Sequence, residues 1–313
     1  MSADTSIHNA LVFGEALWDL LPGGAVLGGA PLNFAYRLGS LGVPTRLVSQ
    51  VGDDALGTKM LNQMQALGMD TSLVFQTDRL PTATVVVELD DQRQPSYTIV
   101  KDVAYDAIPW NDQLRAAAAA ADILCFGTLA QRDPRSRATL RHLVAAFSGS
   151  TVLVDINLRP ECWTAETVRW SLENGTIAKL NDEELMVLAE LYGLMSGGET
   201  HHGDERIGTL AAGLRRAAGL EIIVVTLGER GALAVDGSGD PVFVPGYEVT
   251  VDDPCGSGDA FAGMFMASLV NGADLEEALR MANALGALVA AQPGATQPVS
   301  QTDVQRLMAG SRR

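Results

Sequence analysis

Four short apolar runs decide the fold of this chain: Ile123-Leu-Cys-Phe126, Val152-Leu-Val-Asp155, Ile177-Ala-Lys-Leu180 and Ile222-Ile-Val-Val-Thr226. Each run has the length of a buried strand, and a segment of helical character separates it from the next. Continuously apolar strands that alternate with helices predict a parallel sheet covered by helices on both faces. Right-handed crossovers then make a doubly wound α/β fold, whose ligands bind beyond the carboxyl ends of the strands.

The first half of the chain interrupts this alternation. The runs Thr82–Leu89 and Ser96–Val100 are rich in β-forming residues and are joined by a polar turn, which predicts a hairpin. We expect a small β-sheet outside the main fold, a candidate lid formed by about residues 16–27 and 82–102. Residues 1–313 are then expected to form a single α/β domain that carries this lid.

The charge of the chain narrows the classes of function. Its 313 residues include 22 Lys and Arg against 38 Asp and Glu, so the formal net charge is −16. A chain this acidic repels phosphate backbones, and we expect no nucleic-acid partner. Acidity does not exclude a nucleotide site, because backbone N–H groups and Mg²⁺ can hold phosphates without basic side chains.

The number and spacing of the cysteines and the lengths of the apolar runs together predict where in the cell the protein lies. The 3 cysteines are far apart and lack CxxC spacing, so they predict neither a disulfide framework nor a zinc site. No apolar run approaches the length of about 20 residues that a membrane-spanning helix needs. No basic segment followed by an apolar one marks a secretory signal. We therefore expect a cytoplasmic protein with no membrane partner.

The strongest local signal is Asp253-Pro-Cys-Gly-Ser-Gly-Asp259, which precedes a run with Phe261, Phe265 and Leu269 on one helical face. The glycines therefore lie at the first turn of a helix, where unpaired N–H groups and the positive end of the helix dipole bind an anion. Asp259 is then a carboxylate beside an anion site, which predicts a general base for a hydroxyl that attacks phosphorus. The alternative is a turn rich in Asp and Gly that only caps the helix.

Two further segments contain polar groups where ligands bind in this architecture. The two glycines Gly28 and Gly29 allow a ligand to approach the start of a helix, and Asn33 offers a donor and an acceptor to a polyol hydroxyl. After the second of the four strands, a period of two predicts that Asp155, Asn157 and Arg159 share one face at the carboxyl end. A structural polar network is the alternative interpretation of that strand end.

Two motifs follow predicted strands in the second half. Asn181-Asp-Glu-Glu184 has the spacing of a capping box with Asn181 as the N-cap, and its carboxylates could also hold the water shell of Mg²⁺ near a nucleotide. Thr226-Leu-Gly228 ends a strand at the sheet edge where a nucleotide would bind. As an isolated pattern, this second motif is an ordinary β-turn.

Taken in order along the chain, these motifs resemble those of the ribokinase-like, or PfkB, family of carbohydrate kinases. The resemblance rests on four segments: Gly28-Gly29…Asn33…Gly39, Asn181…Glu184, Thr226-x-Gly228 and Asp253…Gly256-x-Gly258-Asp259. Within the family, the segments most similar to bacterial fructokinases include Gly14-Glu-Ala-Leu-x-Asp19 and Asp155-x-Asn157-Leu-Arg159. The resemblance implies a doubly wound, mostly parallel sheet with a small β-sheet lid, and it implies ATP and Mg²⁺ as cofactors.

The resemblance also implies roles for individual residues. Asp259 matches the catalytic base that activates the primary hydroxyl of a sugar. The anion hole, whose amides stabilise the transferring phosphoryl group, is matched by Gly256, Ser257 and Gly258. The positions that match substrate contacts are Asp19, Gly28, Gly29, Asn33 and Arg159.

Nucleotide and ion positions are implied in the same way. Asn181 and Glu184 match a motif linked to Mg²⁺ and phosphate, a role that is compatible with capping. The positions that match contacts with ATP are Thr226, Gly228 and Asn283, the last in the helix that flanks the adenine. Members of the family often bind a monovalent cation such as K⁺ beside the anion hole, where Asp253 and the Cys255 carbonyl would be ligands.

The late motif departs from the family pattern at two positions. The family usually has Thr after the first Asp and Ala between the glycines, whereas this chain has Pro254 and Ser257. Pro254 lacks an N–H group, but it precedes the anion-hole amides, so we expect phosphate binding to survive. Ser257 adds a hydroxyl without removing a backbone donor.

The resemblance implies an ATP-dependent kinase for the primary hydroxyl of a hexose, with D-fructose as the first expected substrate and fructose 6-phosphate as the product. The nearest alternative is 2-keto-3-deoxygluconate kinase, whose substrate carboxylate needs a cation such as Arg159, Arg132 or Lys101. A non-catalytic sugar-binding sensor on the same scaffold is an alternative from another class, and a dehydrogenase is a third. Because lids of the family often pair between subunits, we expect a homodimer.

Overall fold

The computed structural model describes residues 8–21, 23–89, 95–195 and 204–310, so the predicted hairpin turn at 90–94 lies outside the described residues. The chain divides into two compact units, Met1–Gly149 and Ser150–Arg313. Within the described ranges, no helix combines the length and the apolar character needed to cross a bilayer.

The first unit alternates strands with helices and short 3₁₀ turns. Its strands and α-helices are, in chain order, β1 (Ala10–Phe13), β2 (Leu17–Leu21), β3 (Gly24–Gly28), α1 (Ala30–Ser40), β4 (Thr45–Gly52), α2 (Ala55–Ala66), β5 (Val74–Thr77), β6 (Ala83–Leu89), β7 (Pro95–Ile99), α3 (Asp112–Ala119), β8 (Ile123–Gly127) and α4 (Pro134–Ala146).

Two separate sheets organise the first unit. One is parallel, in the order β8-β1-β4-β5, and every residue of β1 is buried, as expected for a central strand with helices on both faces. The other has the order β3-β2-β6-β7, with antiparallel pairs at both edges and a parallel pair between β2 and β6. The segments predicted as a lid therefore do form a small sheet of their own.

The small sheet is anchored at the start of β6 by a single carboxylate. Asp54 caps α2 by accepting the Gly57 N–H at 2.7 Å, and it also accepts the N–H and the hydroxyl of Thr82 at 2.8 and 2.7 Å. The Thr82 hydroxyl in turn accepts the N–H of Gly52, the last residue of β4. Thr82 is thus fixed to the end of a core strand and to the start of a core helix.

The second unit contains the remaining elements. These are β9 (Thr151–Asp155), α5 (Ala165–Glu173), β10 (Ile177–Asn181), α6 (Asp182–Leu191), α7 (Asp204–Ala218), β11 (Ile222–Thr226), β12 (Gly231–Val235), β13 (Val242–Pro245), α8 (Ser257–Val270), α9 (Leu275–Ala290) and α10 (Gln301–Gly310).

Strand pairing in the second unit brings polar side chains together near the carboxyl ends of its parallel strands. β9, β10 and β11 are parallel, whereas β12 and β13 continue the sheet with antiparallel pairs. The register pairs Asp155 with Lys179 and Asn181 with Thr226 at the carboxyl ends of these strands. The predicted fold class, a mostly parallel α/β sheet with a small β-sheet apart from it, is confirmed.

The predicted alternation at residues 155–159 is wrong. β9 ends at Asp155, and Asn157 has a φ of +38°, which lies in the left-handed region and breaks the period of two. Asn adopts this region more readily than most residues because its short polar side chain can hydrogen-bond locally. The chain therefore turns after Asp155, and Asn157 and Arg159 do not continue the face of the strand.

Replacing Asp54 by Ala removes the acceptor of three hydrogen bonds at the junction of α2 and β6. We expect the free energy of unfolding to fall by about 2–4 kcal/mol, because a helix cap is lost and the Thr82 donors lose their partner. Urea denaturation at pH 7 measures the change. Asp53→Ala is the matched control, since Asp53 is exposed, and it should change stability by less than about 0.5 kcal/mol.

Stability at low pH gives a second measurement on the same carboxylate. Burial raises the pKa of Asp54, but hydrogen bonds from Thr82 and Gly57 outweigh burial and hold this pKa below its usual value. The stabilisation is therefore complete above the unfolded pKa, about 3.9, and is lost as pH falls through the lower folded pKa. The stability difference between the natural chain and Asp54→Ala should shrink below about pH 4. A difference independent of pH would contradict the assignment.

Candidate active site

The loop before α8 requires a glycine at the start of the helix. Gly256 is the N-cap of α8, and its φ of +76° lies in the left-handed region. A Cβ at this position would lie 2.2 Å from the Cβ of Ala295, so space and backbone angle both exclude a side chain. The turn places amides of the loop at the start of a 14-residue helix, where the positive end of the helix dipole lies.

This turn leaves two amides available. The N–H and the hydroxyl of Ser257 both donate to the carbonyl of Pro254, at 3.2 and 2.8 Å. In the part of the chain that the structure describes, the N–H groups of Gly256 and Gly258 donate to no protein acceptor. The arrangement suits an anion held by Gly256 and Gly258, while Ser257 closes the turn around them.

Asp253 ties the same loop to the end of α9. Its two carboxylate oxygens accept the N–H groups of Cys255 at 2.9 Å and of Gly294 at 3.0 Å, and its own N–H donates to Ala290. Each oxygen retains a second lone pair, so the donor set of this carboxylate is compatible with a monovalent cation. Among the described residues, no group of three or more His, Cys, Asp or Glu side chains is arranged to hold a metal ion. The cation site at Asp253 and Cys255 stays a prediction.

Asp259, the predicted base, is in the first turn of α8 and is 9 % exposed. It lies in the electrostatic field of Lys179, whose ammonium nitrogen is 3.1 and 3.3 Å from the two carboxylate oxygens of Asp155. Burial lowers the pKa of Lys179, but the carboxylates of Asp155, Asp259 and Glu184 outweigh burial and raise this pKa above its usual value. The lysine is therefore charged at neutral pH.

Glu184 and Asn181 form the predicted capping box. The Asn181 side chain accepts the Glu184 N–H at 2.8 Å, and the Glu184 carboxylate accepts the Asn181 N–H at 2.9 Å. The other oxygen of Glu184 accepts the N–H of Leu158 at 2.8 Å, which fixes the loop after β9. Burial raises the pKa of Glu184 above its usual value, although Lys179 and these amides lower it.

The residues around Glu184 fit a magnesium ion in their chemistry. Each oxygen of Glu184 accepts one N–H and keeps a lone pair, and a carboxylate oxygen is the ligand type that Mg²⁺ prefers, directly or through water. Capping and ion binding are thus compatible roles for one side chain. A bound Mg²⁺ would be held here by Glu184 with the help of the Asn181 side chain.

The predicted nucleotide positions fall into two groups. Thr226 lies beside Asn181 in the sheet, and Gly228 follows with a φ of +61° and open space around its Cα, so a ligand can approach this backbone closely. Asn283, in contrast, donates its amide hydrogens to the carbonyls of Val244 and Pro245, at 3.0 and 3.2 Å. That side chain joins α9 to β13, and the role of Asn283 in binding ATP stays a prediction.

Arg159 is an exposed cation in the loop after β9, and within the described ranges it makes no ion pair. Arg132 differs, because its guanidinium donates to both carboxylate oxygens of Asp106 at 2.8 and 2.9 Å and is almost fully buried. Of the three cations named for a substrate carboxylate, Arg132 is paired with Asp106, whereas Arg159 and Lys101 are exposed.

In the first unit, the predicted sugar-contact residues lie close together. A Cβ at Gly28 would lie 2.3 Å from Oδ2 of Asp19, so the Asp19 carboxylate lies directly against this glycine. Gly29 is the N-cap of α1 with a φ of +109°, and a Cβ there would lie 2.5 Å from the carbonyl oxygen of Glu15. The N–H of Asn33 closes the first turn of α1 on Gly29 at 2.9 Å, and Asn33 is 3 % exposed.

The sequence analysis did not identify Lys179, the residue that interacts with Asp155, Glu184 and Asp259. Lys179 lies in a run that has the pattern of an apolar strand, and no motif of the sequence analysis includes it. The signal was present, because a lysine at the third position of a buried parallel strand has to pair with a carboxylate. The strand that precedes it ends in that carboxylate, Asp155.

The chain is similar to carbohydrate kinases over most of its length. The model of the family described as pfkB family carbohydrate kinase matches residues 24–302. A fructokinase from Vibrio alginolyticus is 29 % identical, over 96 % of this chain and 99 % of the relative. A solved fructokinase from Xylella fastidiosa with bound ATP has a TM-score of 0.82 at 23 % identity and covers 97 % of this chain and 99 % of its own. A fructokinase double mutant from Vibrio cholerae O395, solved in fructose-, ADP- and potassium-bound form, has a TM-score of 0.79 at 24 % identity, with the same two coverages.

Gly256→Ala tests whether the turn before α8 binds phosphate. We expect the affinity for ATP to fall at least about tenfold, because the methyl group must displace Ala295 and so deform the turn that presents the amides. Isothermal titration calorimetry in Mg²⁺ buffer measures the change.

Gly272→Ala is the matched control. Gly272 has a φ of +83°, and nothing lies within 4 Å of the place that a Cβ would take, so this variant carries the same backbone strain without the clash. It should lose about 1–2 kcal/mol of stability and keep its affinity for ATP. Equal affinities in the two variants would rule out the turn as the phosphate site.

Proposed function

The chain belongs to the pfkB family of carbohydrate kinases, and we propose that it transfers the γ-phosphoryl group of ATP to the primary hydroxyl of a hexose, with D-fructose as substrate and fructose 6-phosphate as product. One observation carries the proposal: the carboxylate of Asp259 lies in the same helical turn as the two available amides of Gly256 and Gly258. A base and an anion site side by side are what phosphoryl transfer to an alcohol requires.

In the proposed mechanism, Asp259 accepts the proton of the sugar hydroxyl while the hydroxyl oxygen attacks the γ-phosphorus and the bond to the ADP oxygen breaks. The amides of Gly256 and Gly258, with the dipole of α8, stabilise the negative charge on the transferring group. Bound Mg²⁺ would neutralise charge on the phosphates. Because hydrogen bonds of Asp253 and Ser257 already fix the turn, these donors need little reorganisation when the charge develops.

We propose that the first unit binds the sugar and the second binds the nucleotide, so that the two work as one kinase domain. Asp19 accepts hydrogen bonds from sugar hydroxyls, and the glycines at 28 and 29 let the sugar approach the backbone there. The small sheet β3-β2-β6-β7 serves as the lid that excludes water. The resemblance to family members also supports a homodimer.

On the nucleotide side, the proposed contacts of ATP are the backbone at Thr226 and Gly228 and the helix α9 that carries Asn283. The potassium-bound form of the Vibrio cholerae fructokinase supports K⁺ as the monovalent cation, which Asp253 and the Cys255 carbonyl would hold. K⁺ should then raise the rate of phosphorylation.

Asp259→Asn tests the assignment of the base. We expect kcat to fall about 10²–10⁴-fold, because the amide cannot take the proton of the hydroxyl. A coupled assay of ADP release with D-fructose, run with and without K⁺, measures the rate, and thermal unfolding checks that the variant is folded. Phosphorylation at the natural rate by this variant would refute the role of Asp259.

A sugar acid such as 2-keto-3-deoxygluconate is the second candidate substrate, and the accessible cation Arg159 favours it. Arg159→Ala separates the two. If the substrate is D-fructose, the variant should raise the KM for the sugar by no more than about threefold, since Arg159 then loses only hydrogen bonds to neutral hydroxyls and no ion pair. If the sugar acid is the better substrate of the natural chain, the variant should raise its KM at least about tenfold. Sugar binding without any release of ADP would instead indicate a non-catalytic sensor.

A further inference from the structure

Lys179 is a buried cation next to Gly258, in the turn that we propose binds phosphate. Its Nζ would lie 3.4 Å from a Cβ built on Gly258, the second residue of α8. The side chain is 10 % exposed, in a strand whose other residues from 177 to 180 are apolar and buried. Because Gly258 has no side chain, no Cβ stands between the ammonium group and the first turn of the helix.

Stability alone does not explain a lysine at this position. Removing an ammonium and a carboxylate from water costs several kcal/mol each, and replacing a buried ion pair by apolar residues is often neutral or stabilising. Three buried carboxylates interact electrostatically with this ammonium: Asp155, which contacts it, and Asp259 and Glu184. With all of them ionised, the cluster carries more negative than positive charge, so the lysine offsets only part of it.

The proposed reaction creates an electrostatic conflict at this turn. The amides of Gly256 and Gly258 attract a phosphate group, while the carboxylate of Asp259 in the same turn repels it. In a site shielded from water this repulsion is strong, because the effective dielectric constant is lower than that of water. A fixed positive charge close to both groups reduces it.

We propose that Lys179 is a positioning residue, whose ammonium group balances the charge of Asp259 so that this carboxylate and a terminal phosphate group can lie together at the first turn of α8. The inference rests on the proposed function only in placing a phosphate at this turn. Asp155 holds the ammonium in place from the neighbouring strand, through contacts of 3.1 and 3.3 Å.

A double-mutant cycle on nucleotide affinity tests this role without any turnover. The Kd of AMP-PNP in Mg²⁺ buffer, without sugar, is measured by calorimetry for the natural chain, Lys179→Met, Asp259→Asn and the double variant. With Asp259 present, we expect Lys179→Met to weaken binding about tenfold. With Asn at 259, the same change should weaken binding less than about twofold, because the side chain that shares the first turn of α8 with the phosphate is then neutral.

Two controls separate this role from general effects of charge and of folding. Lys59→Met removes one positive charge from an exposed position and should leave the Kd unchanged. ADP lacks the terminal phosphate, so its affinity should respond to Lys179→Met less than that of AMP-PNP does. If Lys179→Met unfolds because Asp155 is left buried without its partner, the cycle is run on a background of Asp155→Asn.

The outcomes are distinguishable. Equal weakening by Lys179→Met in both backgrounds of residue 259 would overturn the proposal and leave a structural role for the lysine. Unfolding of the Lys179 variant even with Asp155→Asn would overturn it as well. If the natural chain phosphorylates no sugar but the cycle shows coupling between Lys179 and Asp259, the proposed substrate fails while this inference stands.

Discussion

In the second unit, one buried ammonium group pairs with the carboxylate of Asp155 and interacts electrostatically with two more buried carboxylates. The pairing of parallel strands sets Lys179 of β10 beside Asp155 of β9, and the starts of α6 and α8 bring Glu184 and Asp259 into the same field. None of these charges could be buried alone, since an isolated ion in a protein interior is too costly. The order of the strands thus determines which charges can be present at the site.

In both units, a glycine leaves space for other groups at the start of a helix. At the start of α8, Gly256 permits a left-handed turn against Ala295, and at the end of β3, Gly28 leaves room for the carboxylate of Asp19. In both places a helix begins directly afterwards, so backbone donors and a carboxylate share a small space. A chain that needs acidic groups and ligands at the same helix ends has little tolerance for a Cβ there.

Much of this arrangement could be predicted from local patterns. The alternation of apolar strands with helices, the capping box at Asn181 and the glycine turn before α8 depend on nearest neighbours in sequence, and the structure contains all three. The strand that contains Lys179 was predicted, but its lysine was not recognised, because the partner that makes its burial possible is 24 residues away. The predicted alternation after Asp155 failed because Asn157 takes a left-handed conformation, which no count of polar and apolar residues reveals.

Other features depend on contacts that no local pattern contains. The hydroxyl and N–H of Ser257 close the turn on Pro254, although the motif suggests only that its amide faces a ligand. The guanidinium of Arg132 is buried and paired with Asp106, so Arg132 is not available to bind a substrate. Neither pairing has a sequence signal, because each depends on how loops return to the same place in the fold.

The bonds that hold Thr82 have a mechanical consequence for the small sheet of the first unit. Its strand β6 leaves a residue that Asp54 and the end of β4 fix through both backbone and side chain. Any displacement of β6 must therefore begin beyond residue 82, as a rotation about a pivot, and sliding along the strand axis would break all of these bonds at once. A movement of this sheet would therefore change its angle to the end of β4 more easily than its position along the strand axis.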